Sequence, residues 1–290
     1  MLDEKNNQVV NNSLSSMTLS FIGCGAMAEA MIAGLLRQKL VSPAQIIGSH
    51  PRATRRELLH NKYGIQLVES NVAAVKFAET EGKNGSIVVL AVKPQRLNAL
   101  LAELQGALWI GPLLVSIIAG ARIETLQRQL AHPAVVRAMP NTPAQIGQGM
   151  TVWTATPEVT LAQEEAARAL FGALGKEIKV ETENMVDMAT ALSATGPTYA
   201  FLMMEALVDA GVHMGFSRHV AQDLVYQTLL GSVMFAMESQ KHPAELRNMV
   251  TSPGGTSAEA IYQMEKGGLR TVFSKAVYAA YQRAVALGEK

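Results

Sequence analysis

The stretch Ile22–Met31, I-G-C-G-A-M-A-E-A-M, stands directly behind Thr18-Leu19-Ser20-Phe21 and constrains the fold more than any other part of the chain. A short apolar strand runs into Gly23-x-Gly25-x-x-Ala28, and a helix-forming run follows. This is the layout of a dinucleotide-binding turn. Gly23 allows the tight turn, Gly25 lets the backbone approach a pyrophosphate, and the small Ala28 lets the helix pack close on the strand. N–H groups at the N-terminus of that helix then face the phosphates. Small residues between a strand and a helix also serve packing alone, so the remaining segments decide between the two readings.

From Met17 onward the pattern alternates. Strands are expected at Thr18–Ile22, Gln45–Ser49, Ile65–Val68, Ser86–Val92, Leu113–Ile118, Ala134–Ala138, Gly149–Thr154 and Lys176–Val180. Helices are expected between them, at Ala26–Gln38, Ala53–Lys62, Val72–Glu79, from Pro94 to about Gln105, from Ile123, and at Val159–Leu174. Ser86–Val92, S-I-V-V-L-A-V, is a continuous apolar run, as expected of a parallel strand covered on both faces. The alternation argues for an α/β, doubly wound domain over residues 17–180. After Val180 only helical patterns follow, so residues 181–290 form an all-helical second domain. Ala200, Met203, Met204, Leu207 and Ala210 leave little polar surface on their helix. Such a helix must be buried, and a partner subunit is the expected cover, an internal helix of a monomeric lobe being the other reading.

Composition excludes several function classes. Net charge is +1, which gives no electrostatic case for nucleic acid or a membrane surface. No apolar run approaches the ~20 residues of a spanning helix. The single cysteine, Cys24, forbids an internal disulfide and fits a reducing, cytoplasmic setting. It sits inside the glycine turn, as a small residue filling a tight space or in a redox role. The histidines show no metal-ligand spacing. Residues 1–16 are rich in Asn and Ser, lack a basic-then-apolar signal pattern, and are expected to be a disordered tail.

Five further stretches carry chemistry. Gly48-Ser49-His50-Pro51-Arg52 ends the second strand without the acidic residue that holds the ribose hydroxyls of NAD. Ser49, His50 and Arg52 stand where a 2′-phosphate would be, and arginine suits phosphate. NADPH is therefore expected over NADH, unless Arg52 is only a surface residue of the next helix. Ala91-Val92-Lys93-Pro94 and Ser116–Gly120 end two more strands on the edge where ligands of open α/β sheets lie. They would line the cofactor, although a plain strand-to-helix turn accounts for the same residues. In Met139-Pro140-Asn141-Thr142-Pro143, Asn141 offers amide hydrogen bonds to a nicotinamide carboxamide or a substrate, or the loop is merely a rigid turn. Finally, Ser252-Pro253-Gly254-Gly255 is a turn with open N–H groups, and Thr256-x-x-Glu259 reads as a capping box starting a helix. Together they make an anion-binding nest suited to a carboxylate, or simply a capped helix.

Taken in order, F-I-G-C-G-A-M-A-E-A-M, A-V-K-P, R-A-M-P-N-T-P-A, A-T-G-P-T-Y-A-F, H-P-A-E-L-R and V-T-S-P-G-G-T-S give a sequence that resembles pyrroline-5-carboxylate reductases from about Phe21 to Arg283. The resemblance implies a Rossmann-type cofactor domain followed by a helical dimerisation domain. It also implies a homodimer whose active sites combine one subunit's cofactor domain with its partner's helices, often within five dimers. By position, Ile22, Gly23, Cys24, Gly25, Ala26 and Met27 would line the pyrophosphate. Ser49, His50 and Arg52 would meet the adenosine phosphate, with Asn71 beside the ribose. Ala91, Val92, Lys93, Pro94, Ile117, Ile118, Ala119 and Asn141 would line the nicotinamide half. Thr251, Ser252, Gly254, Gly255, Thr256 and Ser257 would bind the substrate carboxylate and orient its nitrogen. Glu183 and Thr190 match positions that approach the substrate. Four departures stand out: Ser257 where a second threonine is common, Ala194-Thr195-Gly196-Pro197 for the frequent Gly-Ser-Gly-Pro, Met249 for a polar residue, and a region Lys76–Gly85 longer than usual.

The activity this implies is hydride transfer from NADPH to the imine carbon of 1-pyrroline-5-carboxylate, giving L-proline. Thr256 and Ser257 would position the substrate. Two alternatives stay open: a reductase of another cyclic imine or keto acid, and a non-catalytic nucleotide-binding protein that has kept the fold.

Overall fold

In the computed structural model, residues 13–82 and 85–289 are described. The first two-thirds of the chain builds one eight-stranded sheet in the order β3-β2-β1-β4-β5-β6-β7-β8. The strands are β1 (Thr18–Ile22), β2 (Ile46–Ser49), β3 (Gln66–Val68), β4 (Ser86–Leu90), β5 (Leu113–Ser116), β6 (Val135–Met139), β7 (Gly149–Ala155) and β8 (Gly175–Lys179). All neighbours pair parallel except β6 with β7.

The apolar runs explain this sheet. β1, β4 and β6 are buried at every residue, because helices cover both faces. Those helices are α1 (Ala26–Arg37), α2 (Ala53–Tyr63), α3 (Asn71–Glu81), α4 (Leu97–Leu104), α5 (Ile123–Leu130) and α6 (Leu161–Gly172). Side chains alternate along each strand, so Phe21, Val89 and Val115 join Met31, Leu35 and Phe171 in one core. Ile22, Val88 and Leu114 face the other way, into a second core with Val75, Leu101 and Leu126.

Strand order reverses direction at β1, which pairs with β2 on one side and β4 on the other. Ile22 lies opposite both Ser49 and Leu90. The three strands therefore end level, and Gly23, His50 and Ala91 leave the sheet side by side at the edge where such folds bind ligands.

α7 (Glu183–Ala189) opens the helical part and widens into a π-helical turn, Thr190–Ala194. α8 (Gly196–His213), α9 (Arg218–Ser239), α10 (Pro243–Met249), α11 (Thr256–Lys266) and α12 (Leu269–Leu287) follow. The chain divides into two compact units. One runs through Thr195 and also takes the chain from Ala280 onward; the other is Gly196–Ala279. This division by contacts falls after Thr195, where the sequence pattern places the start of the helical segment after Val180. α7 belongs to the sheet unit because its Asp187, 1% exposed, pairs with the equally buried Arg137 of β6 at 2.5 Å. In the helical unit α8 packs on α9, yet Phe201, Leu202, Leu230, Phe235, Tyr262 and Val272 stay exposed.

Several local expectations are corrected. The strand expected to Val92 ends at Leu90, since the last ladder bond runs from the Ala91 N–H to the Ile22 carbonyl. Pro94 opens a short 3₁₀ turn, Pro94–Arg96, rather than the helix itself. Of the expected tail, residues 1–12 lie outside the described ones, but Leu14 is buried in the core. The Gln45 amide holds this segment by donating to the carbonyls of Leu14, Ser15 and Met17. Of the turn expected at 81–85, Lys83 and Asn84 lie outside the described residues.

Candidate active site

The glycine turn is built for close approach. Gly23 takes φ +91°, a conformation side chains rarely adopt, and a Cβ there would stand 2.7 Å from Val92 Cγ1. Gly25 differs: its φ is −78°, and a Cβ there would meet nothing within 4 Å. Gly25 is also the N-cap of α1, and no side chain caps that helix. Open space thus lies against free N–H groups at a helix N-terminus, which suits a pyrophosphate. Cys24 fills its space: burial, opposed by the nearby Arg55 charge, pushes its thiol up to about 12. A Cβ on neighbouring Gly48 would stand 2.3 Å from its sulfur. The packing reading of Cys24 therefore holds, and a thiol protonated at neutral pH is a poor nucleophile. Ile22 is buried in the core below the turn, while Ala26 and Met27 begin α1 at its mouth.

At the end of β2 the expected trio separates. Ser49 is fully buried, and its hydroxyl accepts the Gly23 N–H at 3.2 Å and donates to Asn71 Oδ1 at 2.6 Å. The Asn71 amide donates onward to Glu103 Oε2 at 2.7 Å. Ser49 therefore supports the turn from beneath and does not present its hydroxyl to a phosphate at the surface. His50 and Arg52 do reach the surface. His50 Nδ1 accepts the Arg52 backbone N–H at 3.2 Å. Burial, helped by the charges of Arg52, Arg55 and Arg56, outweighs the hydrogen bond with the Arg52 backbone and lowers the pKa of His50 below its ordinary value. Arg52 is exposed at the start of α2, free to meet an anion. The pair leaves one neutral imidazole and one exposed guanidinium at the rim. Arg55, which nothing in the sequence singles out, reaches back to the glycine turn from the same helix.

Along the same edge, Ala91, Val92, Lys93 and Pro94 follow β4, with Lys93 exposed. Ile117, Ile118 and Ala119 follow β5, and the Ile118 N–H is held by the Ser116 hydroxyl at 3.3 Å. Asn141 follows β6. Its Oδ1 accepts the Met150 N–H at 2.9 Å, and its Nδ2 donates to the Ser193 carbonyl at 3.2 Å. The amide expected to face a ligand thus ties the β6–β7 connection to the π turn. That turn forms because the Thr195 N–H and hydroxyl both reach the Thr190 carbonyl, at 2.9 Å each. The Thr190 hydroxyl donates to the Val186 carbonyl at 2.8 Å and keeps its lone pairs for an incoming donor. Glu183 is engaged as well: Oε1 accepts from Arg137 at 2.9 Å and from the Ile123 N–H at 3.0 Å, capping the first turn of α5. Sequence reasoning misses this charge cluster, though Arg137 inside the buried run V-V-R-A-M is a signal, since a buried charge demands a partner.

The helical unit carries the second anion-binding element. The expected Thr256–Glu259 capping box does not form. Gly255 is the N-cap of α11, no side chain caps it, and Glu259 instead accepts from Gln263 at 2.9 Å. Gly254 takes φ +74°, and the Gly255 N–H donates to the Ser252 carbonyl at 3.0 Å. This leaves the first N–H groups of α11, at Thr256 and Ser257, for a ligand. Thr251 stands just before the loop, its hydroxyl donating to the Arg247 carbonyl at 2.6 Å. Among the described residues, no group of His, Cys, Asp and Glu is placed to hold a metal ion, and no helix is long and apolar enough to cross a membrane.

Residues 183–287 match the family model described as pyrroline-5-carboxylate reductase dimerisation, and residues 18–120 match that of the coenzyme F420-dependent NADP oxidoreductases. The chain is 41% identical to the pyrroline-5-carboxylate reductase of Synechocystis over 95% of its own length and 100% of that protein. It is also 41% identical to that of Pseudomonas aeruginosa, covering 96% of this chain and 99% of that one. Among solved structures, the Plasmodium falciparum pyrroline carboxylate reductase with NADP bound superposes with a TM-score of 0.85 at 28% identity, covering 95% of this chain and 99% of that one. The Coxiella burnetii pyrroline-5-carboxylate reductase gives 0.84 at 33% identity, covering 95% and 100%. A sheet edge with a bare glycine turn, a second bare helix N-terminus behind Ser-Pro-Gly-Gly, and full-length identity at this level place the chain in the pyrroline-5-carboxylate reductase family.

Proposed function

We propose that this protein reduces 1-pyrroline-5-carboxylate to L-proline with NADPH, the last step of proline biosynthesis. The observation that carries the reading is the uncapped N-terminus of α11 behind Gly254-Gly255, a nest for the substrate carboxylate in a family member whose cofactor turn is also bare. Bound NADPH supplies the hydride, and with it both electrons, to the imine carbon. The chain's residues bind and orient. Gly23–Met27 cradle the pyrophosphate, and His50 and Arg52 meet the 2′-phosphate. Ala91–Pro94 and Ile117–Ala119 line the nicotinamide half, while Asn141 holds the π turn that carries Thr190. Backbone N–H groups of the Thr251–Ser257 loop hold the carboxylate, and the Ser257 hydroxyl bonds the ring nitrogen. Substrate arriving as the iminium already carries the positive charge that hydride neutralises, so no side chain need donate a proton. Catalysis then rests on positioning.

Ser257→Ala tests this division of labour. Loss of one hydrogen bond to a charged partner lowers kcat by about 10- to 100-fold. Steady-state kinetics showing a loss of many more orders would make Ser257 a proton donor instead.

The exposed apolar side chains of α8, α9, α11 and α12 support a homo-oligomer, a dimer or a pentamer of dimers, in which a second copy covers them. Sedimentation velocity at micromolar protein is expected to show no monomer, and a monomeric species would contradict the assembly. A cytoplasmic location fits the one unpaired thiol, and no nucleic-acid or membrane partner is called for by the near-neutral net charge.

A further inference from the structure

Ser49 holds the Gly23 N–H of the glycine turn, and a second side chain, Arg55, holds the two carbonyls that follow. Its Nε donates to the Cys24 carbonyl at 3.1 Å, and its Nη2 donates to the Gly25 carbonyl at 3.3 Å. The same Nη2 pairs with Glu29 Oε2 of α1 at 2.7 Å. Glu29 is fixed in turn by Lys62 Nζ and the Tyr63 hydroxyl of α2, both at 2.9 Å. Burial pushes the Glu29 carboxyl up, but hydrogen bonds from Lys62, Arg55 and Tyr63 outweigh it and hold the carboxyl at about 2. The anchor is therefore ionised throughout the neutral range.

The consequence follows from peptide geometry. In a trans peptide the C=O and the next N–H point in opposite directions. The Gly25 carbonyl accepts Arg55 on the α2 side and also the Glu29 N–H at 3.0 Å, the first bond of α1. The Ala26 N–H, on the opposite side of that peptide, is thereby turned away from Arg55, at a helix N-terminus with open space beside Gly25. Glycine has more backbone freedom than any other residue, and the Arg55 bond adds a side-chain tie to the single helix bond that otherwise holds this carbonyl.

We propose that Arg55, seated on Glu29, is a positioning residue for cofactor binding: it orients the peptides of the glycine turn toward the pyrophosphate. The proposal rests on the NADPH reading above. It separates Arg55 from Arg52 by role. The pyrophosphate is common to NADPH and NADH, so Arg55 acts on both, whereas Arg52 acts only where a 2′-phosphate is present.

Fluorescence titration of the full-length protein with NADPH and with NADH tests this, on the wild type and on Arg55→Gln, Arg55→Lys and Arg52→Ala, with thermal melts alongside. Arg55→Gln is expected to raise both dissociation constants about tenfold and leave their ratio unchanged within about twofold. Arg55→Lys falls between, because an ammonium can reach one carbonyl or the carboxylate but cannot fork to both. Arg52→Ala is expected to raise the NADPH constant alone, by about 10- to 100-fold. Unchanged constants in Arg55→Gln, or a rise for NADPH only, overturn the proposal. Should Arg55→Gln fail to fold, unchanged constants in Arg55→Lys do the same. A wild type that binds neither dinucleotide overturns the proposed function itself, which distinguishes the two failures.

Discussion

Gly25→Val is expected to raise the dissociation constant for NADPH by at least about 100-fold while the apo protein still folds; in energy terms this is about 2.7 kcal/mol or more. The two halves of this expectation have separate causes. Gly25 has an ordinary φ of −78°, and a Cβ added there meets no protein atom within 4 Å, so the branch point of valine fits without strain. Valine is a poorer N-cap than glycine, which costs at most about 1 kcal/mol and lowers the melting temperature by no more than about 4 °C. In the proposed function the empty space beside Gly25 is where the pyrophosphate touches the backbone, and a branched side chain would fill it. Gly23 would be a less informative choice, because its φ of +91° and its contact with Val92 make any substitution strain the turn itself. Titration and a thermal melt decide the matter. Wild-type affinity in Gly25→Val would mean that the phosphates lie elsewhere.

Asp187→Ala is expected to destabilise the sheet unit by about 3–5 kcal/mol. Asp187 and Arg137 are each 1% exposed and pair at 2.5 Å, and Arg122 approaches the second Asp187 oxygen at 2.8 Å. That oxygen is close enough to Arg122 to pair in charge but is not aligned as a hydrogen bond, and Arg137 Nε also has no hydrogen-bond partner among the described residues. Removing the carboxylate leaves Arg137 buried with Glu183 alone, and an uncompensated buried charge is what makes breaking such pairs costly. The melting temperature should fall by about 6–20 °C for a chain of this size. A change under about 1 kcal/mol in denaturant unfolding would show that solvent already reaches the cluster.

Much of the fold is legible in the sequence because its signals are local. The apolar run S-I-V-V-L identifies β4 within two residues, and Gly23-x-Gly25 marks the turn, since both depend on neighbours in the chain. What escapes depends on contacts between distant segments. Ser49 lies where a phosphate ligand is expected, but only the assembled sheet shows its hydroxyl beneath Gly23, 26 residues away in sequence. Asn141 and Glu183 have the right chemistry for a ligand, yet their partners are Ser193 and Arg137, 52 and 46 residues distant. Thr256-x-x-Glu259 satisfies the capping-box pattern, but the cap moves one residue back to Gly255, where the loop requires it. Arg55 is one of three arginines within five positions, and sequence gives no reason to prefer it. Leu14 is hidden in a polar stretch whose composition argues for disorder.

The decisive experiment is oxidation of NADPH by the purified protein with 1-pyrroline-5-carboxylate, repeated with NADH and with the six-membered imine acid. The expected result is rapid turnover with NADPH and the five-membered ring, slower turnover with NADH, and formation of L-proline. Tight NADPH binding without turnover of 1-pyrroline-5-carboxylate would contradict the proposed function, leaving the dinucleotide fold in place and the Ser-Pro-Gly-Gly nest to another substrate.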